Sequence, residues 1–302
     1  MANAERRREL FLQGFERLAS LGYELTVQNP QYFDILRKEP QNPAIVYFNH
    51  TTQDDPVLAV TLLQKYLPER LMNVVMPISE YHAQFRKFKR YWAMTNIGKT
   101  FAGFSMPKIV QSYRRRREAG EPYDQKKALA LDLQFMHLLK ERLPTGCLAI
   151  ISPEGHRSDT GTLLPAEEGA GAIALLMMRL KDRGELENGY FLPLGIVMED
   201  FRGSDLHYNL KQKARLTITV GKPLDVEAVV TDESTGSHRG DVSRISHFLM
   251  ETLTEILPER MHGVYEQSLR SDTYAGRFEL RMQDSDVIVY DATTSGKFEQ
   301  RR

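Results

Sequence analysis

The sequence predicts an α/β fold: a single layered domain with a mixed, largely parallel β-sheet flanked by helices, plus an N-terminal amphipathic helix. Three observations lead there. Short apolar runs of strand type alternate with helix-periodic segments through most of the 302 residues, as in a layered sheet. No Pro/Gly/Ser-rich linker cuts the chain, and its one candidate, the loop at 231–240, lies late. Apolar residues make up 41% and charged residues 26%, a composition that supports a packed core and excludes a disordered or collagen-like chain.

The elements follow in order. Leu10, Phe11, Phe15, Leu18 and Leu21 recur at helical spacing and Gly22 closes them, which predicts an amphipathic helix over 6–21. Pro40, Asn42 and Pro43 mark a loop. Residues 44–48 (AIVYF) read as a strand buried on both faces, stopping at Asn49-His50. Asp55-Pro56 opens a helix, because Asp suits the N-cap and Pro the first helical position. It runs to Pro68. Residues 73–76 and 108–113 read as short strands, the second closed by four arginines at 114–117. A long helix over 124–143 takes its apolar face from Leu129, Leu133, Met136 and the stretch 139–143. Residues 147–151 (CLAII) form a strand that opens at once onto SPEGHRSDTG. A helix over 169–180, strands over 190–198 and 214–220 and a helix over 242–257 complete the series. From Gln283 the tail is polar apart from 287–290, and it reads as loosely held. The division that results is an N-terminal helical segment (1–26), an α/β domain (27–260) and a C-terminal extension (261–302).

Composition also excludes functions. Forty Lys+Arg balance forty Asp+Glu, which argues against general nucleic-acid binding. The single cysteine, Cys147, rules out an intrachain disulfide and a multi-Cys metal site, fits a reducing compartment, and sits in an apolar run where it reads as a packing residue. The histidines show no recognisable ligand spacing, so no metal is expected. The N-terminus MANAERRREL lacks the run of roughly 7–15 apolar residues of a secretory signal. The longest nearly apolar stretches, 170–178 and 190–198, are about half the roughly 20 residues a spanning helix needs. The expectation is a cytoplasmic protein without a transmembrane helix, attached at most to the cytoplasmic membrane face.

Two stretches carry chemistry. In Asn49-His50-Thr51-Thr52-Gln53-Asp54-Asp55 a turn between strand and helix can bring His50 and Asp55 together. A carboxylate on one imidazole nitrogen fixes the tautomer and leaves the other nitrogen to take a proton. That is a general-base dyad. The alternative is an Asp55 that only caps its helix and a His50 that only completes a turn. In Ser152-Pro153-Glu154-Gly155-His156-Arg157-Ser158 a buried strand opens onto a tight turn at the carboxyl end of the sheet, where α/β proteins place ligands. Gly155 permits close backbone approach, and the Arg157 guanidinium suits a phosphate. The alternative is a plain turn with a surface arginine. A third stretch, 81–92, places Phe85, Phe88 and Trp92 on one helical face among Arg86, Lys87, Lys89 and Arg90. This is the pattern of a helix on an anionic bilayer surface, or of a core-facing aromatic stripe.

The two motifs together, in this order and about 100 residues apart, resemble those of the glycerolipid acyltransferases, the enzymes that acylate glycerol 3-phosphate, lysophosphatidate and related acceptors. That family carries N-H-x-S-x-x-D and then F-P-E-G-T-R-S, matched here by Asn49-His50 with Asp55 and by Pro153-Glu154-Gly155 with Arg157-Ser158. Leu164-Pro165 with Gly169, Leu192-Pro193-Leu194 and Val220-Gly221-Lys222-Pro223 are similar to later family features. Thr52 stands where Ser is usual, His156 where Thr is usual, and Ser152 where Phe is common. The family's strand ending in Arg is poorly matched, its best candidates being Arg114 and Arg115.

The resemblance implies acyl transfer from a thioester, acyl-CoA or acyl carrier protein as co-substrate, to the hydroxyl of a phosphate-bearing glycerol acceptor. No resident cofactor is implied. His50 and Asp55 would be catalytic, with Arg157, Arg114 and Arg115 on the acceptor phosphate. Glu154, Gly155 and His156 would shape the acceptor site, and Pro193 would lie in the acyl-donor region. The rival functions are a thioester hydrolase using the same dyad and a non-catalytic membrane-surface or RNA-binding protein using the basic-aromatic patch.

Overall fold

The computed structural model describes residues 22–52, 55–79, 104–109, 124–199, 213–230 and 242–265, scattered positions between 6 and 20, and the backbone of strands at 277–281, 287–291 and 299–301. The main sheet of the described residues has seven strands. In chain order they are β1 (Tyr23–Gln28), β2 (Ala44–Phe48), β3 (Val74–Val75), β6 (Leu148–Ile151), β7 (Tyr190–Met198), β8 (Ala214–Val220) and β9 (Leu224–Asp225). The order across the sheet is β1-β8-β7-β2-β6-β3, with β9 paired to β7. Strands β7, β2, β6 and β3 run parallel. β8 runs antiparallel to β7 and parallel to β1. The sheet is mixed and mostly parallel, as the alternating pattern predicts. Two short strands, β4 (Ile78–Ser79) and β5 (Lys108–Ile109), pair separately, and β10 (Arg277–Arg281), β11 (Val287–Asp291) and β12 (Glu299–Arg301) form an antiparallel sheet.

Helices cover both faces. β2 is buried along its whole length, and its alternate side chains enter two cores. Ala44, Val46 and Phe48 pack with Leu58, Leu62 and Leu63 of helix α2 (Asp55–Tyr66). Ile45 and Tyr47 face the opposite core, with Ile173 and Met177 of α4 (Gly169–Asp182) and Leu249 and Leu253 of α6 (Val242–Thr254). This two-sided burial is why the strand reads as a continuous apolar run. The smaller helices are α1 (Asp34–Lys38) and α5 (Val226–Val230), and α3 (Gln125–Arg142) lies against the second core.

The structure corrects the element assignments in two places. The sequence predicts no strand before residue 44, yet β1 forms the sheet edge at Tyr23–Gln28, with only Tyr23 fully buried; a half-exposed edge strand has too little apolar signal to stand out. In α3 the buried face is Ala128, Phe135 and Leu139, whereas Leu129 and Leu133 are 47% and 62% exposed. A stripe at i, i+4 was there to be read, but the sheet contacts the neighbouring stripe. Of the strand expected over 108–113, Lys108–Ile109 is a strand, and 110–113 lie outside the described residues. The N-terminal amphipathic helix and the 81–92 patch, with Phe85, Arg86, Lys87, Phe88, Lys89, Arg90 and Trp92, lie in segments largely or wholly outside the described residues.

Pro193 lies mid-strand in β7, an unusual place for a residue with no N–H. It falls where the antiparallel neighbour changes: Tyr190 and Phe191 pair with β9, and Leu194 to Met198 pair with β8. Its carbonyl accepts from Gly221 N–H at 2.9 Å.

The amino-terminal edge of the parallel strands is held by Arg70. Its guanidinium is buried and donates to the carbonyls of Leu36 (3.1 Å), Asn42 (2.6 Å) and Gly146 (3.0 Å), joining the segments that enter β2 and β6. Burial lowers its pKa to about 10. Replacing it by Met strips these carbonyls of their donor, so Arg70→Met should cost about 3 kcal/mol of stability by chemical denaturation, with turnover per folded molecule unchanged. A cost below about 1 kcal/mol would show that the edge is held otherwise.

Candidate active site

Two loops meet at the carboxyl end of the parallel strands. The chain leaves β2 for α2 on one face and leaves the adjacent β6 for α4 on the other. Adjacent strands whose connections depart to opposite faces open a crevice at their carboxyl ends. The β2–α2 connection carries His50 and Asp55, and the β6–α4 connection carries residues 152–158.

Asn49 ends β2. Its side-chain N–H donates to the Ile196 carbonyl at 2.9 Å, and its side-chain oxygen accepts the Ile196 N–H at 2.7 Å. The amide thus stands in for one more peptide unit of the β2–β7 ladder and lets the main chain turn away. His50 follows. Its ring, 11% exposed, donates from Nδ1 to Asp55 Oδ2 at 3.0 Å and packs edge-on against Phe48, centroids 6.1 Å apart. With the proton on Nδ1, the basic lone pair is on Nε2.

Asp55 is fully buried, and hydrogen-bond donors surround its carboxylate. Oδ2 accepts from the backbone N–H of Thr51 (2.5 Å) and Thr52 (2.7 Å) as well as from His50. Oδ1 accepts from the hydroxyls of Thr52 (2.7 Å) and Thr51 (3.2 Å). Asp55 opens α2, but its carboxylate turns back into the preceding turn toward the imidazole. The placement expected of a dyad is therefore the one found. The two threonines have no assigned part in the sequence reading; the signal for them was present in the short hydroxyl side chains between His50 and Asp55.

The second loop is tied to His50 on both sides of its peptide. His50 N–H donates to Glu154 Oε1 at 2.6 Å, and Ser158 N–H donates to the His50 carbonyl at 2.9 Å. Glu154 is buried, and its other oxygen accepts from Leu164 N–H at 2.9 Å. Its carboxyl group thus meets backbone from two loops. Burial pushes its pKa up to about 8; the His50 and Leu164 N–H groups pull it down, and the Asp55 charge adds to the rise. Gly155 makes the turn at φ +68°, and a Cβ there would stand 2.7 Å from Glu167 Cγ, so the loop needs glycine at this point. His156 donates from Nδ1 to the Glu154 carbonyl at 3.1 Å, bracing the same turn. Arg157 is half-buried, between His156 and the Ser158 whose N–H holds His50.

Pro193 is buried in β7 in register with Tyr47. Arg114 and Arg115 lie outside the described residues. Cys147 is buried, and burial pushes its thiol up to about 12, so it carries no thiolate near neutrality. Among the described residues no group of three or more His, Cys, Asp or Glu is placed to hold a metal ion, and no helix is long and apolar enough to cross a membrane.

The acyltransferase family model matches residues 24–197, more than half of the chain, and the chain belongs to that family, which includes glycerolipid acyltransferases such as PlsC. The match takes in both loops. No curated protein matches the chain.

The Glu154 carboxyl has a consequence for stability. Its folded pKa, about 8, lies above its ordinary value of 4.5, so the folded state holds the proton more tightly. The contribution is full below about pH 4.5 and is lost as pH rises to about 8. Denaturation of the wild type across this range should show stability falling with pH, and Glu154→Gln should remove that slope. Parallel curves for the two proteins would show that Glu154 does not titrate in this window.

Proposed function

We propose that this acyltransferase moves a fatty acyl group from a thioester, acyl-CoA or acyl carrier protein, to a hydroxyl of a phosphate-bearing glycerol acceptor, lysophosphatidate or glycerol 3-phosphate. The observation that carries the reading is the 3.0 Å bond from His50 Nδ1 to a buried Asp55, at the carboxyl end of the sheet and on a loop tied to the one bearing Arg157.

The chemistry follows from the tautomer. The acceptor oxygen attacks the thioester carbonyl carbon as His50 Nε2 takes its proton. The new imidazolium is stabilised by Asp55, whose charge is already set in place by five donors and needs no reorganisation. When the tetrahedral intermediate collapses, the C–S bond breaks, the acyl–oxygen bond remains, and the leaving thiolate takes the proton back from His50. Both transfers use one imidazole, so the enzyme returns to its starting state without an acyl-enzyme. A thioester is already activated, and holding the two reactants together supplies much of the remaining acceleration.

Arg157, with Arg114 or Arg115, binds the acceptor phosphate in this reading through charge-assisted bonds of about 1.5–3 kcal/mol each. Gly155 and His156 shape the turn beside the acceptor, and β7 around Pro193 flanks the acyl-donor region. The aromatic and basic residues at 85–92 supply contact with an anionic membrane surface, on the cytoplasmic side, for an acceptor that carries an acyl chain.

A thiol-release assay with acyl-CoA and acyl carrier protein against both acceptors tests the reading. His50→Ala should fold normally and lower transfer by at least about 10², following general-base magnitudes; turnover near the wild-type rate would remove His50 from the chemistry. Arg157→Ala should chiefly raise KM for the phosphate-bearing acceptor. An unchanged acceptor KM combined with weakened donor binding would place Arg157 on the donor instead.

A further inference from the structure

Beyond the residues matched by the family model, the 261–265 segment is built against the active-site loops. The connecting piece is 163–167, which follows the 152–158 turn and leads into α4. Its N–H groups alternate between two partners. Leu164 N–H donates to Glu154 Oε2 at 2.9 Å, and Glu167 N–H donates to the Pro153 carbonyl at 2.8 Å. Leu163 N–H donates to the Met261 carbonyl at 2.8 Å, and Ala166 N–H donates to the Tyr265 hydroxyl at 3.0 Å. Pro165, between them, has no N–H. The segment is therefore gripped by the active-site loop on one side and by 261–265 on the other.

The outer grip is close and rigid. Gly263 has φ +57°, and a Cβ there would overlap the Leu163 carbonyl. Tyr265 is fully buried, and its hydroxyl also bonds His247 Nδ1 of α6 at 2.8 Å. A ring closed in on all sides, with its oxygen shared between a helix and a loop, fixes the position of the Ala166 amide.

We propose that Tyr265 is a positioning residue for His50, acting through the 163–167 segment and the Glu154 carboxyl group. The proposal rests on His50 being the general base. The line of contact is continuous: Tyr265 hydroxyl to Ala166 N–H, Leu164 N–H to Glu154 Oε2, Glu154 Oε1 to His50 N–H. Without the hydroxyl, the buried Ala166 N–H loses its acceptor, and the segment must shift to find another. Leu164 moves with it. The Glu154 carboxyl group, held only by its two backbone donors among the bonds described, then reorients and takes the His50 main chain with it. Small displacements of a base from its near-attack position are costly to rate.

Tyr265→Phe in the full chain tests this, because the ring and its apolar packing are kept. Rates are taken per folded molecule, and exchange of individual backbone amides is followed in parallel. The expected result is a kcat lowered about tenfold, an acceptor KM within about twofold, and faster exchange at the His50 and Leu164 amides. A merely structural hydroxyl would lower stability and leave kcat per folded molecule intact. In combination with Glu154→Gln, Tyr265→Phe should add no further loss, because both act along one line. Multiplying effects would overturn the relay. Should Tyr265→Phe fail to fold, Glu154→Gln provides the reciprocal measurement: the Ala166 amide should exchange faster, and unchanged protection there overturns the proposal. His50→Ala separates the two ideas. If it is inactive while Tyr265→Phe runs at full rate, only the role of Tyr265 falls. If it keeps its turnover, the general-base reading falls, and the relay with it.

Discussion

A buried carboxylate ringed by hydrogen-bond donors is the constraint around which this site is arranged. Asp55 is removed from water, where an isolated charge costs many kcal/mol, and five hydrogen-bond donors replace its hydration. Those bonds dictate the path of the chain. Thr51 and Thr52 must present both N–H and hydroxyl groups to one side chain, which closes the turn after β2 tightly and leaves the His50 ring beside Asp55. The tautomer of His50 follows from that, and so does the direction of its basic nitrogen.

The sheet explains why such a turn can exist there. Parallel strands end together on one edge, and β2 and β6 send their helices to opposite faces. The main chain that emerges has lost its ladder partners, and side chains take over. The Asn49 amide continues the ladder to Ile196, and the Glu154 carboxyl group gathers amides from His50 and Leu164. At the opposite edge Arg70 performs the complementary task for carbonyls. The buried charged or acidic side chains at the two edges thus differ in hydrogen-bonding character, Asp55 and Glu154 gathering N–H groups at the site and Arg70 gathering C=O groups behind it.

Much of the fold was legible. Strand β7 stands where an apolar run predicts it, because a central strand buried on both sides carries an almost uninterrupted signal, and β8 stands at an alternating run in which Leu216, Ile218 and Val220 are buried. β1 was not legible, since an edge strand needs apolar side chains only where a neighbour covers it. Part of the α3 face was misread for a related reason, although Met136, Leu139 and Leu143 do pack in or against the core. Periodicity marks which residues share a stripe, and Leu129 with Leu133 do, but the choice of which stripe meets the sheet belongs to packing.

In the site, the juxtaposition of His50 with Asp55 was readable from residue types and spacing, because a sequence lists such functional groups outright. The spacing of His50 and Asp55 needed only one local turn to bring them together. What the tertiary structure alone decided is how Glu154 is used and that Tyr265 stands behind it. Their partners are main-chain amides 104, 10 and 99 residues away, and every residue but proline offers the same amide. No pattern of side chains can mark which of them will be met, so only the folded path of the chain determines it.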